Sequence, residues 1–224
     1  MKLYIDSCDI ARIAELNGML HIDGVTTNPS IISGSGREPE DVIADLLGIL
    51  DDSQRFFVQT VRTDFDGIMA EARQIAGLRP SNAFVKIPVT KDGLRAIREC
   101  KREGIGVLAT AIFSAEQGML AALNGADCLA PYVNRMFNYT DGVAEVCDLL
   151  AMLRSSSMNT EVVAASFKNL NQIHALMKAG IDAVTVPCDL IFKMIEHPGT
   201  ADAMTGFSKA WMDAYGRDCL FSGK

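Results

Sequence analysis

The sequence predicts an α/β protein of eight strand–helix units closed into a (β/α)8 TIM barrel, with an additional C-terminal helix. Three observations lead there. Short runs rich in Val, Ile, Phe and Ala recur at 2–6, 24–27, 56–61, 83–89, 106–112, 127–133, 161–165 and 183–187. Longer amphipathic stretches separate them, and 224 residues over eight units leaves 28 for each. That suits a strand of ~5 residues, a helix of ~11 and two short loops. The runs are continuously apolar rather than alternating, so both sheet faces are covered and the strands are parallel. An open doubly wound sheet is the rival, but it usually has fewer strands and often a glycine-rich first turn, and none is visible. The length lies within the range of single-domain barrels, and 1–224 is read as one domain.

Taken in order, the first strand at 2–6 leads into a helix at 9–20, where Ile10, Ile13, Leu16 and Leu20 share a face. Ser7 and Asp9 are better caps for it than Asp6. The second strand runs into Thr27-Asn28 before Pro29, by itself a loop signal. The third and fourth strands, 56–61 and 83–89, precede a helix at 91–102 with Leu94, Ile97 and Cys100 on one face. The fifth and sixth follow at 106–112 and 127–133. The seventh leads to a helix at 169–179, which opens on Asn169 and stops at Ala179-Gly180. After the eighth strand comes a ninth amphipathic helix at 201–216, carrying Met204, Phe207, Trp211 and Tyr215. Two readings of that stripe stay open: it caps its own barrel, or it packs on a neighbouring subunit.

Composition removes several functions. Hydrophobic residues make up 49% and charged residues 22%, the balance of a folded globular chain. The net charge of −7 disfavours nucleic acid as a partner, since phosphate backbones need a positive field. No apolar run is long enough to span a membrane, and Asp6 interrupts the N-terminal apolar stretch, so no membrane association and a cytoplasmic location are expected. The six cysteines form no Cys-x-x-Cys pair and the three histidines are isolated, so no metal site is expected. No Walker loop or dinucleotide-binding glycine turn is present.

The active site of such a barrel lies at the C-terminal ends of its strands. Those ends carry polar groups in sequence: Asp6, Thr27-Asn28, Gln59, Lys86, Thr110, Tyr132 with Arg135, Ser166 with Lys168, and Pro187-Cys188-Asp189. The strand starts read as apolar. This convergence suits a polyhydroxylated ligand. Arg135, Ser166, Lys168 and the helix N–H groups after Ser166 would cradle an anion, because loops after strands seven and eight commonly hold phosphate.

Lys86 carries the most information. It interrupts Ala83-Phe84-Val85-Lys86-Ile87-Pro88-Val89, an otherwise buried strand. A charged lysine there costs several kcal/mol unless paired, so it is either ion-paired, with Asp6 the obvious partner, or held at a lowered pKa. At the ordinary pKa of ~10.4, roughly one amine in 2,500 is neutral at pH 7. Lowering it to ~7 raises the nucleophilic fraction about a thousandfold, which is what a Schiff-base lysine requires.

Over its full length the sequence resembles the small-transaldolase family of class I aldolases. The resemblance is carried by Leu3-Tyr4-Ile5-Asp6, Gly24-Val25-Thr26-Thr27-Asn28-Pro29-Ser30-Ile31-Ile32, Val85-Lys86-Ile87-Pro88-Val89-Thr90, Ala130-Pro131-Tyr132-Val133-Asn134-Arg135 and Ala164-Ala165-Ser166-Phe167-Lys168. It implies that Lys86 forms the Schiff base, that Asp6, Asn28 and Thr27 meet the reacting sugar, and that Arg135, Ser166 and Lys168 hold its phosphate. It implies no cofactor, and a homo-oligomer, a decamer of two pentameric rings whose terminal helix reaches a neighbour. Two activities are known in the family, transaldolase and fructose-6-phosphate aldolase. Gln59, Leu108 and Tyr132 stand where transaldolases look like Glu, Asn and Phe, and this is the aldolase pattern. In that reading Gln59, Thr110 and Tyr132 hold a proton-exchanging water. The expected reaction cleaves fructose 6-phosphate to dihydroxyacetone and glyceraldehyde 3-phosphate. Transfer of the dihydroxyacetone unit to erythrose 4-phosphate is the alternative, and a non-catalytic sugar-phosphate-binding barrel a remote one. Cys8 stands where a smaller residue is usual, either as packing or as a point of thiol sensitivity. Met136-Phe137-Asn138-Tyr139 is a candidate for shaping acceptor access.

Overall fold

The structure, a computed structural model, describes residues 1–221. Two compact units are distinguished, Met1–Cys188 and Asp189–Lys224. The first holds a closed barrel of eight parallel strands in sequence order. Its elements run β1 (Lys2–Asp6), α1 (Ile10–Met19), β2 (Gly24–Thr26), α2 (Pro29–Gly34), α3 (Pro39–Ile49), β3 (Arg55–Gln59), α4 (Phe65–Leu78), β4 (Ala83–Pro88), α5 (Lys91–Glu103), β5 (Val107–Ile112), α6 (Ala115–Leu123), β6 (Cys128–Pro131), α7 (Val133–Met136), α8 (Gly142–Ser155), β7 (Glu161–Ala164), α9 (Leu170–Lys178) and β8 (Ala183–Val186). Pairing of Lys2–Ile5 with Ala183–Val186 closes the ring. The (β/α)8 barrel with an additional C-terminal helix is thus the observed fold. The helices α10 (Cys188–Ile195) and α11 (Pro198–Tyr215) complete the element list.

Local chemistry explains the helix starts. Asp9, Asp64, Thr90, Ser114, Asp141 and Asn169 each accept a hydrogen bond from a first-turn N–H, the cap these residue types supply best. Asp9, not Asp6, caps α1. Two units carry a short extra helix. Pro29 opens α2 with Asn28 as its cap, so Thr-Asn-Pro is a helix start as well as a turn.

Side-chain period two positions the site. Tyr4, Phe57, Leu108 and Ala130 belong to one buried cluster inside the barrel, with Phe84 packed against it. Two residues further along each strand path, on the same face, stand Asp6, Gln59, Thr110, Tyr132 and Lys86. The apolar layer is therefore the floor on which the polar residues stand.

The strand starts are not apolar, contrary to the sequence expectation. Glu161 pairs with Lys2 and with Arg55, the latter at 3.2 Å, and accepts from the Tyr4 hydroxyl at 3.2 Å. The Arg55 guanidinium also lies 4.9 Å from the Phe84 ring centre. These charges come together because β1, β3 and β7 each begin at the same end of the closed ring.

Candidate active site

A cavity of about 430 Å³ is lined by Asp6, Asn28, Ser30, Ile31, Lys86, Tyr132, Asn134, Arg135, Ala165, Ser166, Phe167, Lys168 and Pro187. Seven of the ten residues expected from sequence lie in its wall: Asp6, Asn28, Lys86, Tyr132, Arg135, Ser166 and Lys168.

Lys86 is 2% exposed, and its ammonium nitrogen donates to the Thr27 carbonyl at 2.7 Å. Burial holds its pKa below the ordinary lysine value, while the nearby Asp6 carboxylate pulls the other way. Asp6 is held by Thr26, whose hydroxyl donates to Oδ1 at 2.7 Å and in turn meets the Thr185 hydroxyl at 2.7 Å. Burial raises the Asp6 pKa above the usual carboxylate range, opposed by Lys86, the Thr26 bond and Arg135. Both shifts favour neutral forms, and for Lys86 the neutral form is the nucleophile.

Thr27, Thr110 and Gln59 stand behind the wall. Thr27 is fully buried and spends its hydroxyl on the Phe57 carbonyl at 3.1 Å, so what it offers the site is the carbonyl that holds Lys86. The Thr110 hydroxyl donates to the Tyr132 phenol oxygen at 3.2 Å. Just beyond it Ala111 takes a left-handed φ of 53° and the β5–β6 register shifts, a bulge that re-aims the strand end. Gln59 is the register partner of Lys86, and its Oε1 is buried with no hydrogen-bond partner among the described residues. An orphaned acceptor beside Lys86 is a ready place for a water or ligand hydroxyl.

The side of the cavity that carries Arg135, Ser166 and Lys168 is built from two loops. Arg135 reaches from α7, its guanidinium 4.9 Å from the Tyr132 ring centre. Ser166 sits at φ 63°, a left-handed conformation uncommon for serine and frequent at binding sites. Backbone bonds from Val133 to Ala165 at 3.0 Å and from Asn134 to Ser166 at 2.9 Å join the loops. Not every helix N–H after Ser166 is available to an anion: that of Lys168 is taken by Gln172 Oε1 at 3.0 Å, and that of Gln172 by Asn169. Asn28 uses Oδ1 to cap α2 at 3.0 Å, which leaves its amide donors for a ligand.

Sequence reasoning missed Thr26, Thr185 and Asn134. Thr185 did leave a signal, a hydroxyl interrupting the apolar run Ala183-Val184-Thr185-Val186, the same kind of interruption that marks Lys86. Cys8 donates its thiol to the Ile31 carbonyl at 3.4 Å, and burial first of all raises its pKa, which disfavours the reactive thiolate. Tyr139 is 80% exposed and stacks edge-on with Phe113, which in turn meets Tyr132. Among the described residues no helix is long and apolar enough to cross a membrane, and no group of three or more His, Cys, Asp or Glu side chains is arranged to hold a metal ion.

Solved structures share this fold. A flavocytochrome b2 variant with benzoylformate matches at a TM-score of 0.60 and 11% identity, over 84% of this chain and 56% of that one. A second flavocytochrome b2 variant matches at 0.59 and 14%, with the same coverage. The chain thus spans little more than half the length of these solved chains, and identities so low speak for the barrel alone. Closer information comes from the sequence pattern itself. The family model described as transaldolase/fructose-6-phosphate aldolase matches residues 3–217, nearly the whole described chain, and the protein belongs to that family.

Proposed function

We propose that the protein is a class I aldolase that reversibly cleaves fructose 6-phosphate to dihydroxyacetone and glyceraldehyde 3-phosphate. The observation that carries this reading is the Lys86 amine, buried, shifted toward its neutral form and lining a cavity with hydroxyl-binding and anion-binding groups. The neutral amine attacks the C2 ketone, and loss of water leaves an iminium. A base takes the C4 hydroxyl proton, the C3–C4 bond breaks, and its electrons pass into the iminium to give an enamine. Glyceraldehyde 3-phosphate departs, the enamine is protonated at C3, and hydrolysis frees dihydroxyacetone and the lysine. Tyr132, held by Thr110 and acting through a water at the orphaned Gln59 oxygen, is the proposed acid/base. Asp6 and Asn28 orient hydroxyls, with Thr27 behind them. Arg135, Ser166 and Lys168 hold the phosphate. The chemistry asks for no cofactor, because the iminium is the electron sink.

The test measures glyceraldehyde 3-phosphate released from fructose 6-phosphate, with and without erythrose 4-phosphate. Steady release without acceptor is the expected result. Release only with acceptor, accompanied by sedoheptulose 7-phosphate, makes the protein a transaldolase. Binding without release in either tube would leave a non-catalytic barrel.

The reading extends to a cytoplasmic homo-oligomer, a decamer of two pentamers by resemblance. All six cysteines are free thiols, which suits a reducing compartment. Within its own unit α11 has no buried residue and exposes Met204, Phe207 and Tyr215. An apolar cavity of about 350 Å³ is lined by Phe207, Ser208, Trp211, Met212, Asp218 and Leu220, and the Trp211 indole N–H is buried without an acceptor among the described residues. A second copy of the chain would cover this face.

A further inference from the structure

A buried amide ties together the two loops of the anion-facing wall. Gln172, in the first turn of α9, is 8% exposed. Its Oε1 accepts from the Lys168 N–H at 3.0 Å, and its Nε2 donates to Asn134 Oδ1 at 3.1 Å. Capping of the helix needs neither bond, since Asn169 already takes the Gln172 N–H at 3.1 Å. The turn before α6 is built alike, with Gln117 accepting from Phe113 N–H at 2.8 Å and Ser114 as the cap. What distinguishes Gln172 is its reach to a residue 38 positions earlier, one that lines the cavity and stands directly before Arg135. One side chain therefore holds Lys168 on one loop and Asn134 on the other, beside the strained Ser166.

We propose that Gln172 is a positioning residue for the substrate phosphate: the backbone bonds from Val133 to Ala165 and from Asn134 to Ser166 join the two loops, and Gln172 adds the side-chain clamp from Asn134 to the Lys168 backbone that holds Arg135 and Lys168 in place about Ser166. The inference rests on reading the cavity as a sugar-phosphate site. Because the clamp consumes the Lys168 N–H, the phosphate is held by the side chains of Arg135, Ser166 and Lys168 rather than by that backbone group. Loss of two part-buried hydrogen bonds, each weaker than a fully buried one, corresponds to about a tenfold change in affinity.

The test uses full-length protein in the aldol direction, with dihydroxyacetone as donor and either glyceraldehyde 3-phosphate or unphosphorylated glyceraldehyde as acceptor. Gln172→Met keeps the volume and removes both bonds. The expected result is a KM for glyceraldehyde 3-phosphate raised about tenfold, with its kcat, and both constants for glyceraldehyde, within about twofold of wild type. If Gln172→Met does not fold, Gln172→Ser, polar but too short to reach Asn134, carries the same comparison. Equal losses with the two acceptors, or an unchanged KM for the phosphorylated one, overturn the clamp while leaving the cavity reading intact. A wild-type enzyme indifferent to the phosphate overturns the cavity reading, and the clamp with it.

Discussion

At the residue scale, the proposed role of Lys86 turns an energetic liability, a buried amine, into a nucleophile. Burial disfavours its ammonium, so the neutral amine forms at lower pH than in a free lysine, whose pKa is ~10.4. Activity is therefore expected to fall as the pH drops through the lowered value, giving an acid limb in kcat/KM. Asp6 attracts the ammonium and holds that limb up, so Asp6→Asn moves it to lower pH in a kcat/KM profile; an unmoved limb would show that another group titrates. The same shift tilts stability. Between the lowered pKa and ~10.4 the unfolded chain binds the Lys86 proton and the folded chain does not, so the lysine's contribution to stability rises with pH across that window. Lys86→Met should remove this slope from urea midpoints measured along the pH axis. It should also lower turnover by about a thousandfold or more and abolish the mass adduct trapped by borohydride in the presence of dihydroxyacetone.

At the element scale, the strand-to-helix turns decide which polar groups face the cavity, and they depend on a few close approaches. Gly24 opens β2 at φ 150°, and a Cβ there would lie 1.9 Å from the Arg55 carbonyl. Gly24→Ala should push β2 from β3 and cost on the order of 3 kcal/mol or more, read as a drop in the denaturation midpoint. A midpoint within experimental error of wild type would mean the strands give way without cost. Asp9→Ala should cost only about 1 kcal/mol, since it removes one exposed cap. Much of this scale is legible in sequence. The helix read at 169–179 is capped by Asn169 and ends at Ala179 before Gly180, at φ 75°. The short helix α7 was not legible, because it has four residues and its cap, Tyr132, supplies no side-chain bond.

At the scale of the whole molecule, the barrel's two ends are both polar but differ in what their charges do. At the strand starts, Glu161 is saturated by Lys2, Arg55 and Tyr4. Removing it leaves two cations without their carboxylate, and the Tyr4 hydroxyl, whose pKa burial raises far above the ordinary, keeps the Arg55 donor at 3.3 Å but loses the acceptor for its own proton. Glu161→Ala should cost about 2 kcal/mol, less than a fully buried pair because Lys2 and Arg55 are partly exposed, and should leave KM unchanged. At the other end Lys86 is a buried amine and Gln59 Oε1 a buried acceptor with no partner among the described residues, features that stability alone would not leave. The face of α11 belongs to this scale as well. If the proposed oligomer forms through this face, Phe207→Ser lowers the sedimentation coefficient while circular dichroism is kept; an unchanged sedimentation coefficient would overturn that role for α11.

The sequence by itself determined the eight-fold repeat, the parallel sheet and the oddity of Lys86, because each is written in local periodicity: apolar runs, helical spacing, and one charge in a strand that burial should exclude. It also marked the polar strand ends, since a period of two carries Tyr4 to Asp6 and Phe84 to Lys86 on one face. Only the tertiary structure decided which distant residues meet. Thr26 with Thr185, and Lys2 with Glu161, are each 159 positions apart, and Asn134 finds Gln172 across 38. The first two pairs arise because closing the ring sets β1 against β8, and the third because β6 and β7 lie side by side and bring their following loops together. Hydrogen bonds between side chains depend on that three-dimensional register, and no local pattern along the chain encodes it.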